Sequence, residues 1–275
     1  MKVKVYGARG SMPLSHPGGS VYGGNTSCLT ITSGETTLIL DAGSGLLLYQ
    51  KELEETYPDY PENTPTQHIL ISHLHLDHVL GLGMFKPLFA HENTTIYTCR
   101  RREQTSIKSQ VFRAFKSPNW PIDLSQVAEA RCQEIFLHQA FQVGPFTITA
   151  FLGEHADTTL SFHITDGNKT VVHLLDSETE MATPEGYAEL VDYCRGADLV
   201  VADAAYSGED YDKYKGWGHS TVEHGVKLAR ATGCKRMLFS HLSQHYSDSE
   251  IKSWERYFDD ADKYIIAKDG MELTL

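Results

Sequence analysis

The stretch His68-Ile69-Leu70-Ile71-Ser72-His73-Leu74-His75-Leu76-Asp77-His78, followed by Val79-Leu80-Gly81-Leu82-Gly83, organises the reading of this chain. The apolar run up to Ser72 predicts a buried strand, and the glycines beyond predict a turn entering a helix. Between them lie three imidazoles and a carboxylate within six residues. Histidine and aspartate are seldom buried without partners, so packing explains this cluster poorly. A polar turn with incidental histidines is the plainer alternative, and it leaves that density of ligand types unexplained. In an extended segment His73, His75 and Asp77 share one side, so two imidazoles can meet one cation. Where the chain bends after the strand, Asp77 and His78 can turn to a second.

The remaining composition is ordinary for a globular chain. It has 275 residues, 41% hydrophobic and 22% charged, enough for a sizeable core in one large domain or two small ones. No apolar run reaches the roughly 18 residues that span a bilayer. The start, Met1-Lys2-Val3-Lys4-Val5, enters a strand pattern directly and lacks a signal-peptide core. Cys28, Cys99, Cys132, Cys194 and Cys234 are odd in number and scattered, which predicts reduced packing residues in a cytoplasmic protein. The formal charge of −12 argues against a long polyanionic partner, whose binding needs many Lys and Arg contacts. A small anion is different, because bound dications can dominate the local field.

Taken in order, the chain opens with a strand at Lys2 to Tyr6 and a long Gly-, Ser- and Pro-rich loop from Gly7 to Gly24. Loops longer than about 12–15 residues are uncommon without a function. Strands are expected at Cys28 to Thr32 and Thr37 to Leu40, with Asp41 as a cap or supporting residue and a helix to about Glu54. Gly81 to Phe89 is expected to start helical, and Thr94 to Cys99 to form a strand. Arg100-Arg101-Arg102 opens a basic helical stretch with Lys108, Arg113 and Lys116. It reads either as a solvated helix face or as a lid that attracts an anion. Strands follow at Glu134 to Leu137 and Phe146 to Phe151, then a hairpin of Thr159 to Thr165 and Thr170 to Leu175 around Asp166-Gly167-Asn168-Lys169. A helix at Pro184 to Cys194 leads to a strand at Asp198 to Ala202. Ser220 to Glu223 and Ser247 to Glu250 fit capping boxes, with Ser220 as the first cap and His219 just before its helix. Arg236 to Ser240 and Ile265-Ile266 are the last strands. Each half runs strands first and then alternates strand with helix, which suits two β layers covered by helices; periodicity alone leaves α/β and α+β open. Like the histidine cluster, His155, Asp176 and His241 each fall at or just beyond the end of an apolar strand, and such ends can gather at one edge of a sandwich.

The H-x-H-x-D-H stretch, the early Gly7-Ala8-Arg9-Gly10-Ser11 and Tyr22-Gly23-Gly24-Asn25-Thr26-Ser27-Cys28 blocks, and Gly218-His219-Ser220-Thr221 together resemble the metallo-β-lactamase superfamily over nearly the whole chain. The resemblance is closest to its phosphodiesterase branch, which holds tRNase Z, cyclic-nucleotide phosphodiesterases and the phage anti-Pycsar proteins. It implies a single domain over residues 1–275 with a four-layer αββα sandwich. It implies that His73, His75 and His155 hold one metal, that Asp77, His78 and His241 hold a second, and that Asp176 bridges them. The donors are N and O only, which suits zinc first and also manganese or iron. With both Asp77 and Asp176 present, two divalent cations are expected. Such a pair lowers the pKa of a shared water and clamps the oxygens of a phosphoryl displacement, with Asp77 orienting that water or taking its proton. In this branch the His of the G-H-S-T motif, here His219, donates a proton to the leaving oxygen. Asp203 stands where tRNase Z has a Glu that supports that His.

The function expected first is therefore a phosphodiesterase acting on a small cyclic nucleotide, as a cellular enzyme or a phage anti-Pycsar protein. The alternative is a tRNase Z-like 3′-processing endoribonuclease, against which stand the net charge and the lack of a long basic Gly/Pro-rich arm. An acyl hydrolase, a lactonase or thioesterase, shares the metals and leaves the His219 block unexplained. A homodimer is expected from the family. His163 and His173 read as strand residues that could face each other, and His16 and His91 as loop residues. His68, His138 and His224 have no evident partner, and His245 reads as a surface residue.

Overall fold

A computed structural model describes all residues except 16, 91 and 92, so the loop assignments of His16 and His91 lie outside the described residues. Two seven-stranded sheets face each other. The first contains β1 (Lys2–Gly7), β2 (Cys28–Ser33), β3 (Thr36–Leu40), β4 (Gln67–Leu70), β5 (Thr94–Thr98) and β6 (Arg131–Glu134). The second contains β7 (Phe141–Val143), β8 (Phe146–Gly153), β9 (Thr159–Thr165), β10 (Thr170–Leu174), β11 (Leu199–Asp203), β12 (Met237–Ser240) and β13 (Tyr264–Ile266). A last strand, β14 (Glu272–Thr274), returns to pair antiparallel with β1. Strands run in the order β14-β1-β2-β3-β4-β5-β6 and β13-β12-β11-β10-β9-β8-β7. In each half an antiparallel meander gives way to parallel strands: β1 to β3 and then β4 to β6, β7 to β10 and then β11 to β13. That is the repeated order expected from the sequence.

Alternation along the strands builds the layers. Leu38 and Leu40 of β3 face the second sheet, where they pack in one cluster with Ile148, Phe162 and Val201. Ile39 between them faces out, packing with Leu46 and Leu53 of α1 (Leu46–Thr56). On β10, Val171 lies in the inter-sheet cluster and Val172 in the outer one. The outer cluster also holds Leu190 of α5 (Pro184–Cys194) and Val226 and Leu228 of α7 (Val222–Thr232). Central strands buried on both faces read as unbroken apolar runs, as Leu199-Val200-Val201-Ala202 does. Helix, sheet, sheet and helix thus make four layers. No helix among the described residues is long and apolar enough to cross a membrane.

Several local expectations are corrected. Strand β4 ends at Leu70, so His73 and His75 sit in the turn beyond it. Helical structure starts before Gly81, with α2 (Leu76–Val79) carrying Asp77 and His78, and continues as 3-10 turns to Phe89. The helix at residue 222 is capped by Thr221, whose hydroxyl accepts from the His224 amide while His224 Nδ1 accepts from Thr221. Ser220 does not cap it, because its amide donates to Asp203 and its hydroxyl to the Ser177 carbonyl. Strand β6 ends at Glu134, where the expected strand Glu134 to Leu137 begins. The basic stretch is mostly turns, with only the short α3 (Ile107–Val111) helical. Shorter helices α4 (Leu124–Val127), α6 (Tyr211–Tyr214) and α8 (Asp248–Ser253) complete the chain, and α8 has the expected Ser247–Glu250 capping box.

Candidate metal centre

Four strand ends converge at one edge of the sandwich. The turn after β4 supplies His73 and His75, α2 supplies Asp77 and His78, and the loop after β8 supplies His155. Asp176 follows β10 and His241 follows β12. Asp41, Asp176 and His241, each at or just past a strand end, have positive φ of 57°, 50° and 62°. Non-glycine residues rarely adopt that conformation, and where they do they tend to cluster at functional sites. Here it breaks the strand's alternation and turns three polar side chains toward a common point.

Two donor sets share Asp176. In the first, His73 Nε2 lies 2.8 Å from His75 Nδ1, and His155 Nε2 lies 3.3 Å from the same atom. Asp176 Oδ2 is 3.5 Å from His73 Nε2 and 3.7 Å from His155 Nε2. In the second, Asp77 Oδ2 lies 3.2 Å from His78 Nε2 and 3.1 Å from His241 Nε2. Asp176 Oδ1 is 3.2 Å from both of those imidazoles. One carboxylate therefore gives one oxygen to each set. All seven residues expected as ligands are brought together, in the two groups expected.

The donors suit a pair of cations. Three imidazole nitrogens and an Asp176 oxygen converge in the first set, close enough together to ligate one ion. Asp176 Oδ1 is buried and has no hydrogen bond despite its two near neighbours. Buried polar atoms are otherwise nearly always satisfied. N and O donors in such numbers fit zinc, with manganese and iron also compatible.

Outer partners orient the ligands, as is usual for metal-binding histidines. Asp41 Oδ2 is 2.8 Å from His78 Nδ1, and its other oxygen accepts from the Ser72 amide at 2.8 Å. This is the supporting role expected for Asp41. His155 Nδ1 donates to the Gly218 carbonyl at 2.9 Å. The Gly7 to Gly24 loop lies beside the site. The Ser11 amide donates to Asp77 Oδ2 at 2.7 Å, and a Cβ on Gly10 would sit 2.2 Å from His241 Nδ1. Fully buried Arg9 holds that loop through the Gly23 and Ser243 carbonyls.

Electrostatics divide the two sets. Burial pulls the His73 pKa well below its ordinary value, and His75 shifts down for the same reason. Burial opposes charge on His78 and His241 too, but Asp176 with Asp77 and other carboxylates drives both upward. Cation binding to the second set must therefore displace protons.

Beside the second set, His219 Nδ1 is 2.8 Å from Asp203 Oδ2. The shorter carboxylate reaches the imidazole. Burial lowers the His219 pKa, but Asp203 outweighs it and the value is pushed up to about 9. The ring stacks on His241 at 4.8 Å and meets His155 edge-on at 5.1 Å. Asp203 also accepts from the Asp176, Ala205 and Ser220 amides, so one buried carboxylate ties His219 to Asp176.

Some contributors were not foreseen. Buried Glu178 accepts from the Gly216 and Gly218 amides and from Tyr211, and so holds the His219 loop. His173 is fully buried, 3.9 Å from Asp41, with its pKa lowered by burial to about 4. It does not face His163, since His173 pairs with Phe162 and His163 with Val172, on opposite faces. Three cations of the basic stretch are engaged within the protein, while Arg102, Arg113 and Lys116 are exposed. Arg100 pairs with Glu134 at 2.9 Å, Arg101 donates to the Ser72 and Thr158 carbonyls, and Lys108 donates to the Ala128 carbonyl. His68 meets the Tyr97 hydroxyl, His138 meets Tyr193 and Glu189, and His245 is exposed.

A family profile described as "Beta-lactamase superfamily domain" matches residues 36–242, and the chain belongs to the metallo-β-lactamase superfamily. Ribonuclease Z of Haloarcula marismortui is 23% identical over 316 aligned positions that cover 99% of this chain and 96% of that protein. The human short-form tRNase Z structure is 19% identical, with a TM-score of 0.67, and covers 100% of this chain and 99% of that one. The zinc-bound PqqB structure from Methylobacterium extorquens is 16% identical, with a TM-score of 0.73, and both chains are covered in full, 100% each. Fold and His/Asp clusters together are those of a metal-dependent hydrolase of this superfamily.

Proposed function

We propose that the protein hydrolyses phosphodiesters, with a ribonuclease Z-like site as the first reading of its substrate class. The observation that carries the reaction class is the Asp203–His219 pair, 2.8 Å apart beside the bridging Asp176. Paired divalent cations, when bound, supply an ionisable water and neutralise charge developing on the phosphoryl oxygens. The chain's own residues do the rest. His73, His75 and His155 would hold one cation and Asp77, His78 and His241 the other, with Asp176 placed to serve both. Asp77 faces the site with Oδ2 and orients the nucleophile. Asp203 accepts from His219 Nδ1–H and favours the doubly protonated ring, so Nε2–H is the proton that passes to the leaving oxygen. A lactonase or thioesterase would share the cations, but the resemblance carried by the Gly218-His219-Ser220-Thr221 block favours phosphoester over acyl chemistry.

The relatives named ribonuclease Z, aligned over nearly the full chain, favour an RNA 3′ end as substrate. A small cyclic nucleotide is the second reading, and three observations favour it. The net charge is −12, and Arg100, Arg101 and Lys108 are engaged within the protein. In addition, the 316-position alignment exceeds the 275 residues of this chain, so the halophile enzyme carries segments absent here. The test is turnover by zinc- and manganese-loaded protein of precursor tRNA, cyclic mononucleotides, cyclic dinucleotides and a lactone, with metal analysis of the same sample. Cleavage of precursor tRNA at its 3′ side supports the first reading, and opening of a cyclic nucleotide alone supports the second. Turnover of the lactone alone overturns both.

A further inference from the structure

Trp217 is 60% exposed, two residues before His219. Scattered surface apolar residues are normal, but the mounting of this one is not. Both neighbours are glycines with positive φ, 85° at Gly216 and 87° at Gly218. Their amides donate to the two oxygens of buried Glu178 at 2.8 Å each, and Tyr211 donates to the same carboxylate at 2.8 Å. The Gly218 carbonyl accepts from His155, and a Cβ on Gly218 would lie 2.1 Å from His155 Nδ1. A buried carboxylate thus fixes the loop from beneath, and the loop fixes a site histidine. The indole is left as the projecting group. Its edge rests on Tyr214 at 5.5 Å, Tyr214 stacks on Tyr206 at 4.1 Å, and Tyr206 meets His219 edge-on at 5.8 Å. A rigid, solvent-facing aromatic is thereby set on the same loop as the acid.

Resting on the phosphodiesterase reading, we propose that Trp217 is a stacking platform for the nucleobase next to the scissile phosphate. Every base offers a π-face to an aromatic side chain, so such a platform serves an RNA end and a small nucleotide alike. A ring held in place beforehand loses little freedom on binding.

Two measurements test it. The first is steady-state cleavage of precursor tRNA, of a 3′,5′-cyclic mononucleotide, and of a dinucleotide whose residue beside the scissile phosphate is abasic. Trp217→Ala should raise KM for base-bearing substrates roughly 5- to 100-fold, with kcat within about two-fold, and should shift the abasic KM by less than about two-fold. Trp217→Phe should recover most of the loss. Which base-bearing substrate shows the effect identifies its source. The second is indole fluorescence during titration with non-hydrolysable phosphorothioate analogues of the same substrates. Wild-type emission should be quenched, and Trp217→Ala should lose that quenching while Trp120 and buried Trp254 still emit. Equal KM effects on abasic and base-bearing substrates, or quenching that survives in Trp217→Ala, would overturn the platform. Wild-type quenching without cleavage of any diester would instead sink the hydrolase reading and leave the platform standing.

Discussion

Asp203 Oδ2 stands 2.8 Å from His219 Nδ1, while Asp203 Oδ1 is taken up by the Ala205 and Ser220 amides. The carboxylate is fixed by the backbone, so the imidazole it holds has one orientation and one available nitrogen. His219→Ala should slow phosphodiester cleavage by about 10²- to 10⁴-fold, the usual contribution of a positioned acid. Bound metal, measured by atomic emission on the same sample, should be retained. Loss of metal in that variant would contradict the role assigned to His219.

Asp176 gives Oδ2 to one donor set and Oδ1 to the other. Asp176→Ala should reduce bound metal from two equivalents to one or fewer and abolish measurable turnover. Cobalt substitution followed by absorption spectroscopy reads the number and coordination of bound ions directly. Full activity with two ions retained would rule out bridging by Asp176.

Arg101 donates to the Ser72 carbonyl at 2.9 Å and the Thr158 carbonyl at 3.2 Å, joining the turns that carry His73 and His155. A clamp and an anion-attracting lid predict different losses. Arg101→Ala should lower stability by about 1–3 kcal/mol, because two carbonyls lose a charged donor, and should weaken metal retention in chelator competition. KM should move little. A large rise in KM with metal retention and melting temperature intact would restore the lid.

Asp198 accepts from the Thr170 amide at 2.9 Å and from Lys235 and Lys169 at 2.8 and 3.2 Å. Burial opposes its charge, but Lys235, the Thr170 amide and Lys169 outweigh that and bring the pKa down to about 2. A carboxylate depressed in the folded state stabilises it above the ordinary value near 4, and that contribution fades as pH falls from about 4 toward 2. Asp198→Asn should be about 1 kcal/mol less stable than wild type at pH 7, with the gap closing in acid. Urea unfolding of both metal-free proteins at pH 7 and pH 3 gives the comparison. A gap that widens in acid would contradict the assigned sign.

Much of this architecture was legible in the chain because it depends on local chemistry. The β9–β10 hairpin follows from alternating apolar residues around Asp166-Gly167-Asn168-Lys169, and α5 starts at the expected Pro184. The cap of α7 shows the limit of such reading. Ser220 and Thr221 are equally good caps by type, and Ser220 is excluded only because Asp203 and Ser177, distant in sequence, claim its amide and hydroxyl. The basic run from Arg100 likewise reads as a charged helix until Glu134, Ser72 and Thr158 are seen to engage its arginines.

The sequence by itself determined the ligand types and their places at strand ends, because the apolar periodicity that makes a strand also marks where it stops. Resemblance then supplied the pairing of those ligands into two sets. Only the tertiary structure decided that one Asp176 oxygen faces each set, that Asp203 reaches His219, and that Glu178 holds the loop of Gly216 and Gly218. Those relations depend on side chains meeting across two sheets, and on left-handed turns at Asp41, Asp176 and His241 that no local pattern announces. Contacts between residues far apart along the chain are fixed by packing, which a one-dimensional pattern constrains without specifying.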